Sequence, residues 1–288
     1  LASRYDIGRD QIVLGSGSND VLEMVARAFL SAQDSAVFSE HAFAVYPLAT
    51  QASGAQSIVV PARDYGHDLD AMAAAISEDT RVVWLANPNN PTGTFATGDE
   101  VDGFLRKVPR RVIVVLDEAY NEYLPAALQA DAPRWIERFP NLVITRTFSK
   151  AYGLAGLRVG FALAHPEVAD LMNRVRQPFN VSTLAQAAAT AVLSDHEFVA
   201  RSVRLNAQGM QQVVAGLTQL GRKHIPSFGN FVTFHAGRAA EVYQRLLQQG
   251  VIVRPIAGYG MPEHLRVSIG LESENERFLS ALRNAYHA

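Results

Sequence analysis

Short apolar runs alternate along the first half of the chain with segments whose apolar residues recur every three or four positions. "IVL" is followed by "NDVLEMVARAFLS", "SAVFS" by "YPLATQAS", and "QSIVVP" by "DLDAMAAAI". "RVVWLAN" then precedes "GDEVDGFLRKV", and "RVIVVLDEAY" leads on to "LVITRTFSK". Strands this apolar are expected to be buried on both faces, as in a parallel sheet covered by helices. Strand and helix alternating in this way predict an α/β fold.

The texture changes after "GFALAHPEVADLMNRVRQP". A helix-rich stretch covers roughly residues 182–220 by its apolar period of about 3.6. Isolated strands follow ("NFVTF", "VIVRPI", "HLRVSIG"), separated by the helical "RAAEVYQRLLQQG" and closed by "ENERFLSALRNAYHA". The expected division is a large domain over 1–195 and a small α+β domain over 196–288.

The chain of 288 residues is 48% hydrophobic and 19% charged, the balance of a globular protein with a sizeable core. A net charge of −2 argues against broad nucleic-acid binding. The one basic cluster, Arg106, Lys107, Arg110 and Arg111, reads as a helix C-terminus and strand flank. The absence of cysteine excludes disulfides, zinc–thiolate sites and thiol catalysis, and fits a reducing, cytoplasmic setting. No metal is expected, because the eight histidines show no ligand spacing; His41, His165 and His264 beside turns read as solvated. No apolar run reaches membrane-spanning length, and "LASRYDIGRD" has no leader-like apolar stretch.

Three stretches carry candidate chemistry. "LGSGSNDVLEMV" puts a glycine-rich turn before a helix, where free N–H groups at Ser18 and Asn19 could hold a phosphate; capping by Ser18 is the plainer alternative. A dinucleotide-binding turn would need a third glycine where Asp20 stands. "VIVVLDEAY" ends a buried strand in Asp117 and Glu118, where a carboxylate costs energy unless it meets a cation; a helix cap is the plainer alternative. "TFSKAYGLAGLRVG" sets Lys150 among the hydroxyls of Thr147 and Ser149, with Arg158 eight positions on. One ligand satisfies all three: a phosphate for the helix N-terminus and Arg158, a basic ring nitrogen for Asp117, an electrophile for Lys150. Pyridoxal phosphate has these groups, with Lys150 as its Schiff-base lysine.

"SK" before "GLAGLRVG", with "NNPTG" and "DEAY" upstream in that order, resembles the fold type I pyridoxal-phosphate aminotransferases of class I/II. Within that family the likeness is greatest to the histidinol-phosphate group. The resemblance implies a mostly parallel seven-stranded sheet sandwiched by helices, plus the small C-terminal domain. It implies that Lys150 also moves the substrate proton, and that Asp117 pairs with the pyridine nitrogen. Tyr120 and Asn90 would bond the phenolic oxygen, and Phe43 would stack on the ring unless it is simply core. Ser18, Asn19, Thr147, Ser149 and Arg158 would form the phosphate cup. Arg266 would hold the substrate's carboxylate or phosphate, and Arg254 would assist. Failing that, Arg266 would pair with Glu272 or Glu274, and Arg254 would be a surface residue.

The function so implied is transfer of an amino group from histidinol phosphate to a 2-oxo acid, by a homodimer in histidine biosynthesis. An aromatic aminotransferase, a phosphothreonine decarboxylase and a non-catalytic cofactor-binding module are the alternatives within the fold. A nucleotide-dependent dehydrogenase is the alternative outside it. Family members also carry an N-terminal segment that closes over the site and reaches the partner subunit, and it has no counterpart in this sequence.

Overall fold

The computed structural model describes residues 1–287. The first half runs α1 (Ala2–Tyr5), β1 (Ile12–Gly15), α2 (Ser18–Phe29), β2 (Ser35–Ser39), α3 (Val45–Ala52), β3 (Gln56–Val60), α4 (Leu69–Ala74), β4 (Thr80–Ala86), α5 (Gly98–Lys107) and β5 (Ile113–Asp117). Then come α6 (Trp135–Arg138), β6 (Leu142–Thr147), β7 (Gly160–Ala164), α7 (Pro166–Val175) and α8 (Thr183–Val192). The remainder is α9 (His196–Gln219), β8 (Phe231–His235), α10 (Ala239–Gln248), β9 (Arg254–Pro255), β10 (His264–Ser268) and α11 (Glu272–His287).

Seven strands form one sheet in the order β1-β7-β6-β5-β4-β2-β3. Only β7 runs antiparallel to its neighbours, so the sheet is mostly parallel, as expected. Burial explains the apolar runs. The inner strands β2, β5, β6 and β7 are buried at every position, whereas edge strand β1 alternates. Side chains alternate across a strand, so each inner strand feeds two cores. Val115 and Val143 face the layer of α2, α3 and α7. Leu116, Leu142 and Ile144 face the layer of α5, α6 and α8. Local signals fix the helix starts. Thr97 and Glu100 close a reciprocal capping box on α5, and Asp195 caps the 24-residue α9.

A second, antiparallel sheet has the order β8-β10-β9. Val232, Phe234 and Leu265 pack there against α9, α10 and α11 through Val213, Leu246 and Leu282. The loop after β4 joins the two sheets. Phe228 N–H donates to the Gly93 carbonyl at 2.8 Å, and Thr233 Oγ1 donates to the Pro91 carbonyl. Among the described residues no helix is long and apolar enough to cross a membrane.

Two histidines depart from expectation. His41 is buried, with Nδ1 2.8 Å from the Tyr259 carbonyl, and His264 has a buried, unpartnered Nδ1. Both lie where the two sheets meet and are not simply solvated.

His67 ties the segment before α4 to the end of β4, with Nε2 2.8 Å from the Ala86 carbonyl. Burial lowers its pKa from 6.5 to about 4. The unfolded chain therefore binds the extra proton in that window, and stability falls as pH drops from 6.5 toward 4. Chemical denaturation at stepped pH should show a steeper acid loss for the wild type than for His67→Gln; equal slopes would place the titration elsewhere.

Candidate active site

Parallel strands deliver their following loops to one edge, and ligands of α/β sheets bind there. A cavity of about 210 Å³ lies at that edge. Its lining contains Ser18, Asn19, Phe43, Asn90, Asp117, Tyr120, Thr147, Ser149, Lys150 and Arg158, together with Ala86, Pro88 and Ala119. Ten of the sequence-derived candidates therefore share one hollow. A larger hollow, about 430 Å³, lies beside α4 and α5. Its Lys107 and Asp70 already pair at 2.6 Å, and burial keeps its His67 neutral, so the smaller cavity holds the chemistry.

The two adjacent carboxylates after β5 differ in their partners. Glu118 pairs with the buried guanidinium of Arg146, at 2.7 Å from Nη2 and 2.9 Å from Nε. Asp117 is 5% exposed and has no salt bridge among the described residues. Its Oδ2 accepts from Tyr46 Oη at 2.9 Å, and its Oδ1 from Thr145 Oγ1 at 3.0 Å. Burial pushes its carboxyl above the ordinary range, against the pull of those bonds and of Lys150. A cationic ring nitrogen fits this donor set, because it supplies the charge that the protein does not.

Lys150 follows β6, and its Nζ stands 5.4 Å from the centre of the Tyr120 ring. Burial lowers its pKa first, and the charges of Arg266 and Arg158 add to that; Asp117 opposes them. A lysine held this way is closer to the neutral amine that attacks a carbonyl carbon. Tyr120 is buried edge-on to Phe231 at 5.3 Å, and burial raises its pKa. Phe43 is half-buried: it packs against the core, meets Tyr46 edge-on at 5.8 Å and also lines the cavity.

The candidate phosphate cup is built from close backbone approaches. Gly17, not Ser18, holds the N-cap of α2, with φ 81° and no side-chain cap, so the plain capping alternative fails. A Cβ on Gly17 would stand 2.4 Å from Arg158 Nη2, so only glycine lets that guanidinium lie over the turn. A Cβ on Gly160 would stand 2.5 Å from the Ser18 nitrogen. Gly160 is also in register with Gly15 on one side and Thr147 on the other. Arg158 itself has φ 54°, and its Nη1 donates to Ser149 Oγ at 3.3 Å and to the Ala155 carbonyl at 3.0 Å. Free N–H groups, three hydroxyls and one cation there suit a phosphate.

In the "NPNNPTG" loop, Asn87 braces Ala96 through two 2.8 Å bonds, and Asn89 binds the His41 carbonyl at 2.9 Å. Asn90 faces the cavity and accepts from Arg266 Nη1.

The chain matches the family model for aminotransferase class I and II over residues 1–282. The chain belongs to the class I and II aminotransferases. They depend on pyridoxal phosphate, and the donor set above fits it. Histidinol-phosphate aminotransferase 1 of Dechloromonas aromatica is 65% identical, over 99% of this chain and 79% of that protein. Histidinol-phosphate aminotransferase 2 of Nitrosospira multiformis is 62% identical, over 98% of this chain and 72% of that protein. The crystal structure of a histidinol-phosphate aminotransferase from Sinorhizobium meliloti with pyridoxal-5'-phosphate superposes with a TM-score of 0.94 at 28% identity, covering 100% of this chain and 79% of that one.

Two candidates lie outside the cavity lining of this aminotransferase. Arg266 stands beside it, held by Asn90 and over the Phe231 ring at 5.0 Å, with a buried Nε that has no partner among the described residues. Neither expected alternative partner reaches it: Glu274 accepts from the Leu271 N–H at 2.7 Å, and Glu272 is exposed at the start of α11. Arg254 is exposed, in register with Arg266, and cross-strand partners share a face of the sheet. Sequence reading missed Tyr46 and Thr145 as partners of Asp117; the first lies 71 positions away.

Arg158→Ala is expected to weaken pyridoxal phosphate binding by roughly one to two decades, the equivalent of a charge-assisted contact of about 1.5–3 kcal/mol. Gly160→Ala should weaken it in the same direction by displacing the Ser18 N–H. Fluorescence titration of the apoprotein reads both, and unchanged affinities would remove the phosphate from this end of the cavity.

Proposed function

We propose that this aminotransferase moves the amino group of histidinol phosphate to a 2-oxo acid such as 2-oxoglutarate. The names borne by the relatives at 65% and 62% identity support this choice of donor. The observation that carries it is Arg266: a part-buried guanidinium without a carboxylate partner among the described residues, beside Lys150 and Tyr120, whose titrations it shifts. A guanidinium fork grips a phosphate or a carboxylate through parallel hydrogen bonds. One arginine thus serves the phosphorylated donor and the dicarboxylate acceptor in turn.

Bound pyridoxal phosphate supplies the carbon that receives the amine and the ring that takes up electrons from the substrate's α-carbon. Lys150 Nζ holds the cofactor and then accepts and returns the α-proton. Asp117 keeps the ring nitrogen protonated. Tyr120 and Asn90 orient the phenolic side, and Phe43 covers the ring face. Ser18, Asn19, Thr147, Ser149 and Arg158 anchor the phosphate, while Arg254 supplements Arg266 from the same face of the small sheet. We further place the domain boundary at 195/196, the active form as a homodimer and its setting in the cytoplasm. The cysteine-free composition supports the last, and the dimer rests on family likeness.

Two tests bear on this reading. A panel of amine donors, scored by loss of the bound cofactor's visible absorbance, should show histidinol phosphate preferred over phenylalanine and phosphothreonine; preference for phenylalanine would favour the aromatic alternative. Arg266→Lys keeps the charge but loses the fork. It should lower kcat/KM about tenfold to a hundredfold in both half-reactions, with pyridoxal phosphate still bound. Normal kinetics in a destabilised variant would make Arg266 a structural residue.

A further inference from the structure

Asp117 is held by a hydroxyl that the aminotransferase reading does not use. Tyr46 Oη donates to Asp117 Oδ2 at 2.9 Å, from the first turn of α3. The phenol is fully buried, and its ring lies parallel to that of Trp84, 4° between planes and 5.3 Å between centres. Trp84 Nε1 donates to Thr50 Oγ1 at 3.2 Å, and Thr50 Oγ1 donates to the Tyr46 carbonyl at 2.8 Å. The ring is therefore gripped on its face and through its own backbone. Among the described residues its hydroxyl bonds to the carboxylate alone.

We propose that Tyr46 is a positioning residue that keeps Asp117 ionised and aimed at the cofactor's ring nitrogen. A hydrogen bond donated to a carboxylate favours its charged form, and a fixed donor also fixes the plane of the carboxyl group. Burial alone pushes the Asp117 carboxyl upward, and the bonds from Tyr46 and Thr145 are the leading counterweights. The other groups facing Asp117 are the Ala119 N–H, Lys150 from the loop after β6, and Tyr120. Glu118 next to it is neutralised by Arg146. Burial and the neighbouring Asp117 raise the Tyr46 phenol far above its ordinary value, so it remains a donor at any working pH. Oδ1 is bonded separately by Thr145, and Tyr46 is the side-chain donor to Oδ2.

The inference rests on the cofactor and not on which amine the enzyme prefers, so its test needs no substrate. Tyr46→Phe keeps the ring on Trp84 and removes one oxygen; the melting temperature of the apoprotein checks that the fold is retained. Pyridoxal phosphate affinity is then measured by titration across the acid range. The variant should bind about tenfold more weakly at neutral pH. The pH at which affinity collapses should move up by about one unit, because Asp117 now protonates more readily. In an Asp117→Asn background the same substitution should change affinity little, since it acts through that carboxylate. Unchanged affinity and an unmoved acid limb would overturn the proposal, and so would a lower melting temperature alone. An equal loss in the Asp117→Asn background would make Tyr46 merely a part of the cavity wall.

Discussion

A buried carboxylate with no salt bridge among the described residues is the constraint on which the site depends. Asp117 ends the central strand of the large sheet, where desolvation opposes its charge. The neighbouring Glu118 solves the same problem within the chain, through Arg146. Asp117 has no salt bridge among the described residues, and the proposed ring nitrogen would supply its cation. Tyr46 and Thr145 hold its oxygens, Lys150 stands by, and the hydroxyls and Arg158 lie with it in the same cavity. The seven-stranded sheet supplies the precision. Its strands end in register, so Ala86, Asp117 and Thr145 lie side by side across three neighbours.

The loop after β4 links that edge to the second sheet. Asn87 and Asn89 stiffen it from within, Gly93 and Pro91 take bonds from the small sheet's approaches, and Asn90 meets Arg266. Tyr120 likewise packs on Phe231 of β8. Asn90 of the cavity lining is thus in direct contact with the arginine proposed to hold the substrate, and Tyr120 meets it through Phe231. Any shift of the small sheet would be felt at Asn90 and Tyr120 before it reached Lys150.

The architecture was legible because its signals are local. Fully apolar strands mark a sheet covered on both faces, and the candidate residues follow strand ends, so topology alone gathers Asn90, Asp117 and Lys150. What the sequence did not disclose depends on pairs far apart in the chain. Nothing local marks Tyr46, because its partner lies 71 positions on. Asp117 and Glu118 are adjacent in sequence, and only Arg146, 28 positions beyond Glu118, separates their roles. Arg266 invited pairing with nearby glutamates, yet it meets Asn90, 176 positions away, because β10 faces the loop after β4. His41 and His264 looked solvated beside turns, and packing between the two sheets covers them.

Lys150 and Asp117 are proposed to bracket a single cofactor in this cavity. Borohydride reduction of the protein reconstituted with pyridoxal phosphate, followed by peptide mapping, tests it most directly. One pyridoxyl label is expected, on Lys150, and none in Lys150→Ala. A label on Lys107 or Lys223, or no label on any lysine, would contradict it.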